Sequence, residues 1–141
     1  MKPLTHLFYA LILAAVLYPV FGWKVILIVI GGVIADSDHY ISNVFRFRDL
    51  NIVNCYKYFS GMMVKNDFTD AKGILLVFHT VEFLLLMVIL SFFNEFALIF
   101  LIGLLLHYFL DLIWHVFVAK CIISNPSIIY WLIKRQSKRF K

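Results

Sequence analysis

The chain has 141 residues, of which 63% are apolar, 18% aromatic and 15% charged. Soluble domains are about 45–50% apolar and about 25% charged, so these figures exclude an ordinary soluble globular protein, a disordered chain and a small disulfide-rich secreted module. The formal net charge is +5. In so apolar a chain we interpret the basic residues as signals of membrane topology, and we expect no nucleic-acid partner.

Four apolar stretches follow one another along the chain, over residues 7–23, 25–35, 73–93 and 96–119. A helix needs about 20 residues to cross the hydrocarbon core. The third and fourth stretches are long enough, and the first, when it is entered near Leu4, is nearly so. The second reaches that length only if its helix continues through the polar run that follows it. The pattern predicts an all-α integral membrane protein with a four-transmembrane-helix bundle.

The first stretch has an alternative interpretation as a secretory signal peptide, because Lys2 precedes an apolar run and Leu13-Ala14-Ala15 includes two small residues. No small-x-small site follows the run, however. It ends in residues 18–23, whose Pro, Gly and aromatics are typical of a tight turn at the membrane surface. A second short turn is predicted at Asn94 and Glu95.

The basic residues are distributed unequally between the two sides that four spans would create. Twelve of the thirteen Lys and Arg fall in the N-terminus, the loop 40–72 and the tail 120–141, and only Lys24 falls on the other side. By the positive-inside rule both termini are cytoplasmic, which predicts a multi-pass protein of the inner (plasma) membrane. We expect a transmembrane domain over 1–119 and a basic tail over 120–141. This tail either lies along the anionic inner leaflet or is a frayed stop-transfer segment.

Nine ionisable side chains lie inside or at the ends of the apolar stretches, where burial costs several kcal/mol each and indicates a functional site. They are His6, Asp36, Asp38, His39, His79, Glu82, His107, Asp111 and His115. At 1.5 Å per residue all of them fall in the cytoplasmic half of the membrane. His107, Asp111 and His115 share one helix face, as do His79 and Glu82. Asp38 departs from the face of Asp36 and His39, so we expect a local break or unwinding there.

The carboxylates of this layer have no Lys or Arg among them, so either most are protonated or a cation is bound. His with carboxylate suits Zn²⁺, Mn²⁺ or Fe²⁺ better than Ca²⁺, and the number of candidates allows a dinuclear pair. We expect a divalent metal, with Zn²⁺ or Mn²⁺ favoured. Three competing interpretations involve no metal. His6 and His115 would be packing residues, and Asp36 and Asp38 would cap a helix end. Glu82 and His79 would form an interhelical hydrogen bond.

Four motifs occur in one order: His6, then Gly31-Gly32-Val33-Ile34-Ala35-Asp36-Ser37-Asp38-His39, then His79-Thr80, then Gly103-Leu104-Leu105-Leu106-His107-Tyr108-Phe109-Leu110-Asp111. This order resembles the YdjM-like family of bacterial inner-membrane proteins, described as membrane-bound metal-dependent hydrolases. The resemblance extends from His6 to about His115. It implies metal-binding roles for His6, Asp36, Asp38, His39, His79, His107 and Asp111.

The chain departs from the family pattern at two places. The family has Pro after its Asp-His, where this chain has Tyr40. It also has a fuller His-Arg-Gly-x-Thr-His-Ser motif, where residues 77–82 contain one His and no Arg. Glu82 is the candidate replacement for the missing ligand or base.

The leading hypothesis is a metal-dependent hydrolase that acidifies a bound water for attack on a phosphate or acyl ester. His39 or Glu82 is the candidate general base. Because the layer is reached from the inner leaflet, a membrane lipid or a lipid-linked phosphate is the expected substrate class. The alternatives are a metal-ion or proton carrier, which the apolar outer halves of the helices disfavour, and a scaffold whose polar layer only locks packing.

Overall fold

A computed structural model describes residues 2–65, 67, 74–120 and 127–137, and every regular element in these ranges is helical. The helices are α1 Pro3–Phe21, α2 Ile26–Ile34, α3 Ser37–Phe47, α4 Ile52–Lys65, α5 Val81–Ser91, α6 Glu95–Trp114 and α7 Ile128–Ser137. This confirms the predicted all-α fold. Lys72 and the tail residues 121–126 and 138–141, which carry part of the predicted charge asymmetry, lie outside the described residues.

Two helical stretches are long and apolar enough to cross a membrane: Pro3–Phe47 and Glu95–Val118. The first stretch folds back on itself at a 3-10 turn over Gly22–Val25. Gly22 has φ 55°, in the left-handed region that favours glycine. As a result Ala10 of α1 lies against Gly32 of α2, and the two helices are antiparallel, as the turn signal in the sequence predicts.

Glycines allow α2 and α6 to approach until their backbones touch. A Cβ atom added at Gly31 would overlap the carbonyl oxygen of Phe100, and one added at Gly103 would overlap that of Ile28. Close packing of this kind is the common use of small residues between apolar helices. It holds the α2 backbone within reach of the side chains of α6.

The two short turns meet at one end of the molecule. The Nζ atom of Lys24 lies 2.5 Å from Oε2 of Glu95, which joins the α1–α2 turn to the start of α6. Asn94 caps α6, since its side-chain oxygen accepts hydrogen bonds from the N–H groups of Phe96 and Ala97. The beginning of α1 and the ends of α2 and α6 therefore lie together at the opposite end.

The polar run after α2 contains the local break that the sequence predicts, because α2 ends at Ile34 and α3 begins at Ser37, and the turn between them is overwound. The N–H groups of Asp36, Asp38 and His39 each donate to the carbonyl three residues earlier, which is the 3-10 pattern. α3 follows directly. The tighter winding rotates Asp38 inward, and the residue is 4% exposed.

The third predicted helix, over residues 73–93, is shorter in the structure. Its α-helical part has 11 residues, Val81–Ser91, or about 16 Å, roughly half the hydrocarbon thickness. Thr80 is the N-cap residue that begins this helix, because its backbone is extended and its side chain accepts a hydrogen bond from the N–H of Phe83. His79 lies before this cap, in a separate 3-10 turn over Val77–His79. It therefore does not share a helix with Glu82.

The loop between the second and third apolar stretches is largely helical in its described part. α4 turns Cys55 and Met62 inward, and Met62 packs with Phe59 and Trp114. α4 thus covers the polar end of the bundle beside α3.

Candidate metal centre

His107 and Asp111 lie one turn apart on the same face of α6, and both are buried. The Nε2 atom of His107 lies 3.3 Å from Oδ2 of Asp111. The other carboxylate oxygen, Oδ1, lies 3.2 Å from Nε2 of His6 on α1. The His6 ring stacks on the His107 ring at a centroid distance of 4.0 Å. These three residues form a group that could hold a metal ion, with ligand atoms within 4.8 Å of one another.

His79 adds a fourth side chain to the same point. Its Nε2 atom lies 3.1 Å from Nε2 of His107 and 3.5 Å from Oδ2 of Asp111. The three atoms form a triangle with sides of 3.1, 3.3 and 3.5 Å. We call His79, His107 and Asp111 the donor triangle.

Two contacts fix the turn that carries His79. The N–H of Phe78 donates to Oδ2 of Asp38 at 2.5 Å, and the Tyr108 hydroxyl donates to the Phe78 carbonyl. Nδ1 of His79 also lies 3.5 Å from the same Asp38 oxygen. The inward rotation of Asp38 therefore positions His79 from behind, as carboxylates commonly do for metal-bound histidines.

The hydrogen-bond partners of the two histidines assign their protons. Nδ1 of His107 lies 3.0 Å from the carbonyl oxygen of Gly32, which can only accept, so the neutral ring carries its proton on Nδ1. The carboxylate of Asp38 assigns the same tautomer to His79. Both Nε2 atoms then present lone pairs, and they face each other and the Asp111 carboxylate. Three electron-pair donors converge, and either a bound cation or a proton shared between two of them would offset their mutual repulsion.

The triangle has the dimensions of a metal site. Ligand atoms bonded at about 2.0–2.2 Å to one tetrahedral ion lie about 3.3–3.6 Å apart, close to the measured sides of 3.1–3.5 Å. No Lys or Arg occurs in residues 74–119, nor in residues 6–39 apart from Lys24 at the opposite end. The segments that build the site therefore contain no Lys or Arg side chain beside the donors that could neutralise their negative charge.

Buried polar atoms without partners surround the donor triangle. Among the described residues they include Nδ1 of His6, Oδ2 of Asp36 and Nδ1 of His39. Asp36 lies in electrostatic range of His6, His107 and Asp111. The His39 ring lies 5.7 Å from the His79 ring. An unsatisfied buried polar group costs about 1–3 kcal/mol, so these atoms also favour a bound ligand.

Glu82 lies apart from the cluster and has a different partner. Its carboxylate accepts from the Ser127 hydroxyl at 2.6 Å and from the N–H groups of Ile128 and Ile129 at 3.1 and 3.3 Å. It therefore caps the start of α7. His115 continues α6 as part of a π-helical segment, and its ring contacts that of Trp114.

The structure thus brings seven of the eight predicted site residues together: His6, Asp36, Asp38, His39, His79, His107 and Asp111. Sequence reasoning missed two contributors, the Gly32 carbonyl and the Tyr108 hydroxyl. The Gly31-Gly32 pair is the sequence signal for the Gly32 carbonyl, because a helix backbone without side chains can be approached closely by a side chain of another helix. Tyr108 has no comparable signal beyond its position next to His107.

Comparison of the chain with protein-family models, with curated proteins and with solved structures found no match.

Proposed function

We propose that the protein is a multi-pass protein of the inner (plasma) membrane, with four helical segments and both termini in the cytoplasm. Large apolar side chains on the outer surfaces support this, among them Phe8 at 59% and Val16 at 67% exposed on α1 and Leu112 at 61% on α6. Contiguous apolar surface of this kind is rare on soluble monomers. α5, being short, would enter the bilayer only part of the way.

Within this membrane protein, we propose a metal-dependent hydrolase of the YdjM-like family that acts on a lipid or lipid-linked phosphate or ester. The donor triangle is the observation that carries the proposal, because its three lone pairs converge at metal-ligand spacing. Zn²⁺ or Mn²⁺ suits two imidazoles and a carboxylate. A divalent ion, when bound, supplies Lewis acidity and lowers the pKa of water.

The surrounding residues divide into three roles in this proposal. Asp38 orients His79. His6 offers a further donor at Oδ1 of Asp111, and Asp36 lies in electrostatic range of both residues. His39 is the candidate proton acceptor, since its Nδ1 has no partner and its ring borders the site. Glu82 is engaged at α7, so we assign it to holding that helix.

The distribution of polar groups favours a hydrolase over a carrier. A translocation path needs polar side chains through the full thickness of the membrane. Residues 7–21, 26–34, 83–91 and 96–106 contain no Asp, Glu, His, Lys or Arg. This distribution favours a site that is reached from one side of the membrane only.

Metal analysis of the full chain purified in detergent tests the proposal. We expect one to two divalent ions per chain in the wild type and their loss in His107→Ala. His115→Ala is the matched control, because it removes the same side chain from the same helix outside the donor triangle. Hydrolysis of phosphatidic acid should stop on chelation and return with Zn²⁺ or Mn²⁺. Equal metal content in wild type, His107→Ala and His115→Ala would overturn the proposal.

A further inference from the structure

A cavity of about 730 Å³ opens between the start of α1, the helices α2 and α3, and α4. Its walls include Leu7 of α1, Ile30 and Val33 of α2, and Phe59 and Met63 of α4. Small-molecule pockets usually measure about 300–1,000 Å³. The cavity, which we call the α1–α4 groove, is thus large enough for a substantial part of a lipid.

The groove is polar at one end and apolar at the other. Lys2, Asp36 and His39 are among its lining residues, and Asp36 and His39 border the metal centre. Ile30 lies six residues before Asp36, about 9 Å farther along the helix axis, in the direction of the turn end. This order along the helices matches an amphiphile whose head lies at the cytoplasmic end and whose chain points toward the bilayer centre.

The polar end has buried groups without hydrogen-bond partners, and one lysine is among the lining residues of the groove. Oδ2 of Asp36 and Nδ1 of His39 are buried without hydrogen-bond partners. Lys2 lines the groove, and its ammonium group can form charge-assisted hydrogen bonds with a phosphate. Asp36 would repel a phosphate unless a cation lies beside it, which the proposed metal supplies.

We propose that the α1–α4 groove binds one hydrocarbon chain of a phosphate-bearing membrane lipid, whose phosphate lies between Lys2 and the Asp36–His39 turn. The chain would contact Leu7, Ile30 and Val33. This inference rests on the proposed function and names its substrate class: a lipid delivered from the inner leaflet, with its head beside the donor triangle. A water-soluble phosphate would leave the apolar walls of the groove unused.

Binding of dioleoyl phosphatidic acid to the metal-loaded full chain in detergent tests this proposal. Ile30→Trp and Met63→Trp fill the groove from opposite walls. Each should weaken binding about 10-fold or more, because excluding even two methylenes costs that much. Ile26→Trp is the matched control: it lies one turn earlier on α2, is itself 56% exposed and does not line the groove. It should bind like the wild type.

A second lipid, which has no phosphate, distinguishes binding of the head group from binding of the hydrocarbon chain. Lys2→Ala should weaken phosphatidic acid binding about threefold, as expected for an exposed charge, and leave dioleoylglycerol binding unchanged. Equal loss for both lipids would overturn the assignment of the phosphate to Lys2.

The thiol of Cys55, which lines the groove, gives an independent readout. Burial raises its pKa, so alkylation by a maleimide should be slow in a Cys121→Ser background. Saturating phosphatidic acid should slow it further in the wild-type groove and have no such effect in Ile30→Trp. Unchanged alkylation on adding lipid would count against occupancy of the groove.

Metal content measured in the same samples separates this inference from the proposed function. If both Trp variants retain metal and bind phosphatidic acid like the wild type, the groove assignment is wrong and the hydrolase proposal is untouched. If the wild type holds no metal and the Trp variants still lose dioleoylglycerol binding, the hydrolase proposal fails and the chain-binding groove stands. A wild-type dimer that Ile30→Trp converts to a monomer without loss of lipid binding would assign the groove to a second copy and overturn the inference.

Discussion

The two ends of the helix bundle differ in how their ionisable side chains are paired and exposed. At the turn end, Lys24 and Glu95 pair with each other, and their side chains are 29% and 51% exposed. At the metal centre, the side chains of His6, His107 and Asp111 are 0%, 0% and 12% exposed, and the donors face one another. Protein charges balance at the first end, whereas the donors at the second have no Lys or Arg partner in the segments that build the site.

The largest expected loss of metal affinity comes from removing the Asp111 carboxylate, which contacts three histidines of the buried end. Asp111 lies within 3.5 Å of three histidine nitrogens, so Asp111→Ala should weaken metal binding more than 100-fold. Loss of a supporting residue alone costs about 10–100-fold. Competition with a chelating dye measures the affinity, and circular dichroism checks that the variant remains helical. A folded Asp111→Ala protein with wild-type affinity would remove Asp111 from the site.

A smaller loss is expected when the support behind His79 is removed. Asp38→Ala takes away the acceptor for Phe78 N–H and the partner of His79 Nδ1, and should weaken metal binding about 10–100-fold. Asp38→Asn keeps an acceptor oxygen for Phe78, so its loss should be intermediate. The same dye competition measures both. If Asp38→Asn and Asp38→Ala behave alike, the charge of Asp38 matters and its hold on the turn does not.

The sequence predicts the layer of ionisable groups because that layer depends only on which residues interrupt an apolar run. Depth along a helix follows from the chain position, and His107 and Asp111 share a face by their spacing alone. The α1–α2 turn follows from Gly22 in the same direct way, whereas Pro19 lies within the last turn of α1.

The position of His79 shows where such reasoning ends. A spacing of three predicts that His79 and Glu82 share a helix face, yet Thr80 starts the helix between them. The deciding contact, Asp38 to Phe78 N–H, joins residues 40 apart in the chain. Periodicity cannot show a contact of this range. The same holds for Glu82, whose partners on α7 lie 45–47 residues away.

Between the two ends, the glycine contact of α2 with α6 should show a moderate effect on folding. Gly103→Ala forces a Cβ against the Ile28 carbonyl, and overpacking of this kind costs about 1–3 kcal/mol in the free energy of unfolding. Gly61→Ala on α4 is the matched control, since nothing lies within 4 Å of its Cβ. Thermal unfolding in detergent compares them. A Gly103→Ala protein as stable as Gly61→Ala would contradict the close packing.

Glu82→Gln should change α7 without changing the metal centre. The amide weakens a cap that a carboxylate makes to Ser127, Ile128 and Ile129, so amide hydrogen exchange over α7 should become faster. Metal content should stay at the wild-type level. Metal loss in Glu82→Gln, with exchange unaltered, would return Glu82 to the ligand set.

The smallest effect is expected at the turn end. Lys24→Met removes the charge of an exposed pair and keeps an apolar stem, so the free energy of unfolding should fall by about 0–1 kcal/mol. High salt should reduce even that difference, because exposed charges are screened. A double-mutant cycle with Glu95→Gln isolates the pair. Metal affinity should be unchanged, since the balanced charges at this end contribute no donor to the other. A Lys24→Met protein that loses metal as Asp111→Ala does would mean that the two ends are coupled through α6, and that the balance of charge at one depends on the other.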